Sequence, residues 1–177
     1  MHNWSVKWQM NFNANKCHIL SMSRKNNKIT NTYNLGDKPL SVVDSYPYLG
    51  ITVSSDLRWH KHVSCTAAKA TRTLNFVRRN IYSCTKEAKQ LAYVSLVRPL
   101  LEYGAAAWDP HTQKDIKILE GVQKRAARFV FRDYRQTTSA SGLVNDLGWL
   151  PLVDRRRNAR LIQFHKAVHN VSPISVS

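Results

Sequence analysis

The sequence predicts an α+β fold: a small β-rich part over residues 1–55, an all-helical part over 56–170 and a frayed tail over 171–177. Short runs of β-branched and aromatic residues between turn-forming residues favour strands in the first part. From about Leu57 onward, apolar residues recur at steps of three and four, which favours helices. A hydrophobic fraction of 43% is enough for a packed core, so disorder is not expected.

Strand and turn signals alternate in the β-rich part, after what reads as the end of a helix near Trp8. Residues 17–22 are apolar between polar flanks and predict a buried strand. Residues 36–39 (Gly-Asp-Lys-Pro) predict a hairpin loop between two short strands. Residues 46–53, rich in aromatic and β-branched side chains, predict one further strand.

The first predicted helix carries an apolar stripe of Val63, Ala67, Ala70, Leu74, Val77 and Ile81. Thr85 stands where the N-cap of the next helix would be. That helix is apolar most of the way round over residues 91–101, which predicts burial on several sides. We expect Pro99 to kink it and Pro110 to end it.

Three more helices are predicted, over residues 112–133, over 141–147 up to Gly148, and from about Pro151 onward. The inward positions of the first of these are Ile116, Leu119, Val122, Ala126, Phe129 and Val130. The apolar stripe of the last is formed by Val153, Leu161, Phe164 and Val168.

A formal net charge of +16 is the strongest bulk signal, and most of the excess lies in residues 61–177. Such a charge indicates a nucleic acid or an anionic membrane as partner. The most apolar stretch, residues 91–108, is interrupted by Arg98, Pro99 and Glu102 and does not predict a membrane span. Three widely spaced cysteines and an N-terminus without a secretory pattern predict an intracellular protein.

Six basic side chains of the helix over 112–133 fall within an arc of about 100°. They are Lys114, Lys117, Lys124, Arg125, Arg128 and Arg132. Only Asp115, Glu120 and Asp133 dilute this charge, so we expect a basic face that follows a phosphate backbone. The alternative is an ordinary solvated face.

Arg155, Arg156 and Arg157 open the last helix, where cations oppose the helix dipole. A bound phosphate or buried carboxylates could compensate, and all three are candidate nucleic-acid contacts. Further candidates are Arg78, Arg79 and Arg98.

No metal site is predicted from the neighbouring His60, His62 and Cys65, because their spacing matches no common zinc pattern. His62 is instead expected to pack, and Trp108 and Trp149 are core candidates.

Six landmarks stand in order along residues 4–170. They are Trp8 with Asn13-Ala14-Asn15-Lys16-Cys17, Tyr48-Leu49-Gly50-Ile51, Leu57-x-Trp59-x-x-His62, the stretch from Leu96 to Gly104 with Trp108-x-Pro110, Leu119-Glu120-x-x-Gln123-x-x-Ala126-x-Arg128, and the stretch from Leu147 to Arg156. The series resembles the end of the palm and the thumb of non-LTR (LINE-type) retrotransposon reverse transcriptases, in particular jockey- and CR1-like ones.

The resemblance implies a fragment of an RNA-directed DNA polymerase that is inactive alone. The parent enzyme would use Mg²⁺, and the fragment itself no cofactor. The implied partners are an RNA template with a DNA primer, as an RNA–DNA hybrid, and the rest of the enzyme chain, but no membrane. The implied location is nuclear or cytoplasmic, in a ribonucleoprotein.

The aspartates that hold the metal ions in this family precede the Trp8 segment, and this chain has no Asp-Asp pair. The catalytic set is therefore incomplete, and we expect Met1 to be an internal methionine of a degraded or truncated element. Lys16 matches the motif lysine that acts as a general acid. Tyr48, Leu49 and Gly50 match the primer-grip hairpin, in which the glycine would allow a tight turn close to a primer 3′ end. The alternative is an ordinary strand with a bend at the glycine.

Two other interpretations stay open. The chain could be a stand-alone basic nucleic-acid-binding module without catalysis, or a transposon relic that neither folds nor functions. Without the nucleotide site of the parent enzyme, the favoured interpretation of Lys16 in this chain is an ordinary surface lysine at the start of a strand.

Overall fold

A computed structural model describes residues 2–10, 12–23 and 31–169, with the side chains of residues 2 and 3 left aside. The predicted tail over 171–177 lies outside these residues. The chain divides into two compact units, Met1–Lys61 and His62–Ser177. Short strands in the first unit and helices in the second confirm the predicted α+β fold.

The described residues of the first unit form the helix α1 (His2–Trp8), a 3₁₀ turn (Ala14–Lys16) and short strands. The strands are β1 (His18–Ile19), β2 (Asn34–Leu35), β3 (Lys38–Pro39), β4 (Ser41–Val42), β5 (Ser45–Tyr48) and β6 (Ile51–Ser54). Strand β1 pairs with β4 in parallel, whereas β2 with β3 and β5 with β6 form antiparallel pairs.

The strand predicted over residues 46–53 is wrong, because the chain reverses in its middle. Leu49 and Gly50 have φ angles of +47° and +80° and form a two-residue turn that pairs Tyr48 with Ile51. Tight hairpin turns of this kind need positive φ at both central residues. Leucine has no preference for the positive φ of such a turn, so the residue pattern by itself predicted a continuous strand.

The other two predictions in this unit hold only in outline. The strand expected over residues 17–22 is limited to β1, because its partner β4 is equally short. The expected loop over 36–39 is a tighter turn at Gly36 and Asp37, since Lys38 and Pro39 already belong to β3. Gly36 adopts a positive φ of +63°, as such a turn requires.

The second unit is helical, with α2 beginning at its boundary. Its helices are α2 (His60–Asn80), α3 (Lys86–Ala92), α4 (Arg98–Glu102), α5 (Gln113–Phe131), α6 (Ala140–Asp146) and α7 (Leu152–Val168). The largest buried apolar side chains include Tyr93, Trp108, Leu74, Leu101, Leu119, Phe129 and Leu152. The prediction that Trp108 and Trp149 belong to the core is confirmed, and His62 packs edge-on against Trp108 with ring centroids 4.4 Å apart.

Helix starts in this unit follow the capping residues. The hydroxyls of Thr85, Thr112 and Ser139 each accept a hydrogen bond from the backbone N–H three residues on, which satisfies a free donor of the first turn. Helix α6 ends at Asp146, and Gly148 follows two residues later with a φ of +65° that suits a glycine.

The apolar stretch over residues 91–101 is not one helix buried on several sides, as predicted. A π-helical turn over Tyr93–Val97 joins α3 to α4, two residues ahead of Pro99, whose ring nitrogen has no hydrogen to donate back. Leu91 and Leu96 are exposed, because the bundle covers only one side of this segment. Helix α4 also ends at Glu102, ahead of the predicted stop at Pro110.

Helix α7 is rotated relative to the prediction. All four residues of the predicted apolar stripe are exposed: Val153, Leu161, Phe164 and Val168. The buried positions are Leu152, Arg156 and Ala167. An ion pair from Arg156 and a hydrogen bond from the Val153 N–H to Glu120 Oε1 fix the orientation, which residue spacing cannot reveal.

Candidate nucleic-acid interface

Helix α5 presents its basic side chains away from the core. Its inward positions Leu119, Val122, Ala126, Phe129 and Val130 are buried, as predicted. The opposite face exposes Lys114, Lys117, Lys124 and Arg125, here called the α5 ridge. These four side chains therefore form a positively charged surface along more than two turns of one helix.

The acidic residues of this segment are engaged elsewhere. Asp115 is buried and accepts a hydrogen bond of 2.8 Å from the Thr112 hydroxyl at the helix start. Glu120 accepts the Val153 N–H at 2.9 Å, and burial raises the pKa of its carboxyl. Asp133 binds the guanidinium of Arg135. Each of the three thus has a partner outside the α5 ridge, although the charge of Glu120 does act on Lys124.

Arg128 and Arg132, also predicted as contacts, have protein partners. The half-buried Arg128 donates to the backbone carbonyls of Asp133, Arg135 and Thr138 at 2.9–3.3 Å. It ties down the loop between α5 and α6. The exposed Arg132 donates to the backbone carbonyl of Tyr82, and its guanidinium lies 4.8 Å from the centre of the Tyr82 ring.

On helix α2, the sequence pointed only to Arg78 and Arg79 as candidate contacts, although other cations of this helix are exposed as well. Arg125 of the α5 ridge donates to the Thr71 hydroxyl of α2 at 3.1 Å and so connects the two helices. The 21 residues of α2 include no acid, and Lys69, Arg72 and Arg79 are exposed. The signal that could have revealed this surface is the absence of Asp and Glu over six turns.

The three arginines that open α7 have different environments. Arg155 forms a two-point ion pair with Glu102. Arg156 has a relative exposure of 0% and donates to Asp109 Oδ1 at 3.1 Å. Protein carboxylates therefore compensate these two charges, and Arg156 is not available to a phosphate. Arg157 is exposed and remains a candidate contact.

Lys16 and the predicted primer-grip residues lie in the first unit. Lys16 is exposed and ends the 3₁₀ turn, and its carbonyl accepts a hydrogen bond of 3.2 Å from the Tyr46 hydroxyl. Tyr48 and Leu49 are exposed at the tip of the β5–β6 hairpin.

The two-metal centre that the resemblance implies belongs to the parent enzyme, whose aspartates would precede the Trp8 segment, and the resemblance predicts no such centre among the described residues. Such a centre needs several acids grouped within a few ångströms. The described part of the chain contains no group of three or more His, Cys, Asp or Glu side chains that could hold a metal ion. No catalytic role follows for Lys16 from its surroundings.

No helix within residues 2–10, 12–23 and 31–169 combines the length and apolarity needed to cross a membrane. Comparisons with protein-family models, curated proteins and solved structures gave no significant match.

Proposed function

We propose that this chain is the palm-end and thumb part of a non-LTR retrotransposon reverse transcriptase, and that its helical unit holds the RNA–DNA template–primer hybrid. The observation that carries the proposal is the α5 ridge, a row of exposed cations on a helix whose acids point elsewhere or bind other groups. The ordered landmarks along residues 4–170 supply the family.

A helix face with four exposed cations suits a nucleic-acid backbone because each phosphate contact releases bound counterions. The exposed ridge has lysines at three of its four positions, and lysine contacts phosphate as a point charge without reading bases. We therefore expect binding that depends on backbone charge and on helix shape rather than on sequence. An enzyme that must copy any sequence needs contacts of this kind.

The test is fluorescence anisotropy of the full chain with a labelled 20-base-pair RNA–DNA hybrid at several salt concentrations. Replacing Lys117 and Lys124 by Glu should weaken binding by about tenfold or more and reduce the slope of log K against log[salt] by about two. The matched control replaces two exposed lysines outside the ridge, Lys38 and Lys166, and should change affinity about twofold or less. Equal losses of hybrid affinity in the two double variants would contradict the proposal that the α5 ridge binds the hybrid.

A stand-alone binding module is the second candidate, and the compactness of the helical unit that carries the α5 ridge favours it. The two candidates differ in primer extension. A chain joined to its missing aspartates should extend a primer, and Lys117→Glu/Lys124→Glu should then reduce extension along with binding. A module that acts by binding alone would gain no extension from any upstream segment.

A further inference from the structure

The second unit contains a cleft of about 430 Å³ at the C-terminal end of α2. Asn75, Arg78, Arg79 and Tyr82 line it. Two neighbouring side chains stack on this group, since the guanidinium of Arg132 lies 4.8 Å from the Tyr82 ring centre and that of Arg78 lies 5.7 Å from the Tyr134 ring centre. We call Arg78, Arg79, Tyr82, Arg132 and Tyr134 together the Arg-Tyr cleft.

The aromatic rings of this cleft are open to solvent. Tyr82 and Tyr134 have relative exposures of 55% and 48%. Each ring already has a guanidinium beside it, and both rings and guanidinium planes are surfaces on which nucleobases stack. Arg78 and Arg79 lie at the C-terminal end of α2, where the helix dipole stabilises cations. The dipole explains why these two cations are there, but it does not explain why the two tyrosines are exposed.

The cations of the cleft are not neutralised within the described part of the chain. No carboxylate there lies within ion-pair distance of Arg78, Arg79 or Arg132. Asp133, the nearest acid in sequence, is bound by Arg135, and those hydrogen bonds lower the pKa of its carboxyl well below its usual range. The cleft thus offers three positive charges with two stacking surfaces.

This chemistry differs from that of the α5 ridge, which has cations but no aromatic residue. Bases in a duplex are stacked inside it, so an exposed ring adds binding energy only to an unpaired base. Arg132 follows the last residue of α5, about 12 Å along the helix from Lys124. A strand that leaves a duplex at this end of the ridge reaches the cleft directly.

We infer that the Arg-Tyr cleft binds an unpaired stretch of nucleic acid, with its phosphates on Arg78 and Arg79 and its bases against Tyr82 and Tyr134 or the guanidiniums beside them. The inference rests on the proposed function for its ligand class, and adds a site for the single-stranded segment that continues beyond the hybrid.

The experiment measures anisotropy of the full chain with labelled single-stranded 20-mers of mixed sequence, one RNA and one DNA, and with the blunt RNA–DNA hybrid. Tyr82→Ala/Tyr134→Ala should lower single-strand affinity by about fivefold or more, because one lost base stack is worth about 1–3 kcal/mol. Affinity for the blunt hybrid should stay within about twofold. The matched control Tyr82→Phe/Tyr134→Phe keeps both rings and should bind like the wild type.

The inference would be overturned if the Ala variant kept its single-strand affinity, or if the Phe variant lost as much single-strand affinity as the Ala variant. It would also be overturned if the Ala variant lost as much affinity for the blunt hybrid as for the single strands. A further contrary result is that poly-glutamate competes with the labelled strand as effectively as an oligonucleotide of the same charge. A comparison of the RNA and DNA arms shows which strand the cleft prefers.

Thermal unfolding checks that each variant folds. If the double Ala variant does not, Arg79→Ala in the cleft is compared with Arg58→Ala just before α2, both exposed arginines. Only Arg79→Ala should then weaken single-strand binding, and equal effects would count against the cleft. If the wild-type chain binds single strands but not the hybrid, the proposed function is wrong and the inference about the cleft stands. If it binds the hybrid but not single strands, the inference about the cleft is wrong and the proposed function stands.

Discussion

The hydroxyl of Tyr93 donates a hydrogen bond of 2.8 Å to Oε1 of Gln123 in the interior of the helical unit. The amide nitrogen of Gln123 in turn donates to the carbonyl of Leu150 at 3.0 Å. The Tyr93 ring stacks on Trp149 with centroids 4.3 Å apart. This chain of contacts connects the π-helical turn, α5 and the segment before α7, and so fixes the helix from which the α5 ridge projects.

Removing the Tyr93 hydroxyl should therefore destabilise the helical unit. In Tyr93→Phe, the buried Gln123 Oε1 loses its donor, and an unsatisfied buried acceptor costs about 1–3 kcal/mol. Urea unfolding measures the change in the free energy of unfolding. Tyr134→Phe, at an exposed tyrosine, is the control and should shift it by about 0.5 kcal/mol or less. Equal small shifts would show that the hydrogen bond contributes little.

Arg156 and Arg157 are adjacent but should respond differently to the same substitution. Arg156→Met leaves Asp109 without one of its two partners, because Arg160 still contacts that carboxylate at 2.6 Å. Since Asp109 is also partly exposed, we expect a loss of about 1–3 kcal/mol, below the usual cost of breaking a fully buried pair. Arg157→Met should change the free energy of unfolding by about 0.5 kcal/mol or less and should weaken hybrid binding instead. A large loss of stability in Arg157→Met together with a small one in Arg156→Met would contradict the assignment of Arg156 as the buried, paired arginine.

Burial lowers the pKa of His62 below its ordinary value, which makes stability depend on pH. The unfolded chain takes up this proton at a higher pH than the folded chain. The stabilising contribution is therefore complete above about pH 6.5 and is lost as the pH falls from there toward the folded-state pKa. The free energy of unfolding should drop more between pH 7.5 and 5.5 in the wild type than in His62→Gln. A His111→Gln control, at an exposed histidine, should retain the wild-type drop, and a drop retained by His62→Gln as well would argue against this role.

Leu49 occupies a left-handed conformation with φ of +47°, which costs a residue with a branched side chain about 1–2 kcal/mol. Asparagine tolerates this region better, so Leu49→Asn should stabilise the β5–β6 hairpin by about 1 kcal/mol. Hydrogen exchange of the hairpin amides measures the gain as slower exchange. Leu49→Val places a β-branched residue there and should have the opposite effect. Faster exchange in the Asn variant would mean that the side chain of Leu49 is needed for packing.

The helix boundaries and the inward face of α5 could be predicted because they depend on local signals. Thr112 caps α5 through its own hydroxyl, and Leu119, Val122 and Ala126 recur on one face. The candidate site was predictable in the same way, since Lys114, Lys117, Lys124 and Arg125 share a face by their spacing alone. The Leu49–Gly50 turn was expected only from the primer-grip resemblance, because leucine has no preference for the positive φ angle that the turn requires of it.

Local propensity and periodicity, which reach only a few residues along the chain, thus determined the α+β class, the capped helices and the basic face of α5. Tertiary structure alone decided which cations remain available. Glu102 and Asp109 lie about fifty residues from the arginines they neutralise, and Tyr82 meets Arg132 across the same separation. Pairings at that distance depend on how helices pack, because a charge is neutralised by whatever the fold places beside it and not by its neighbours in sequence.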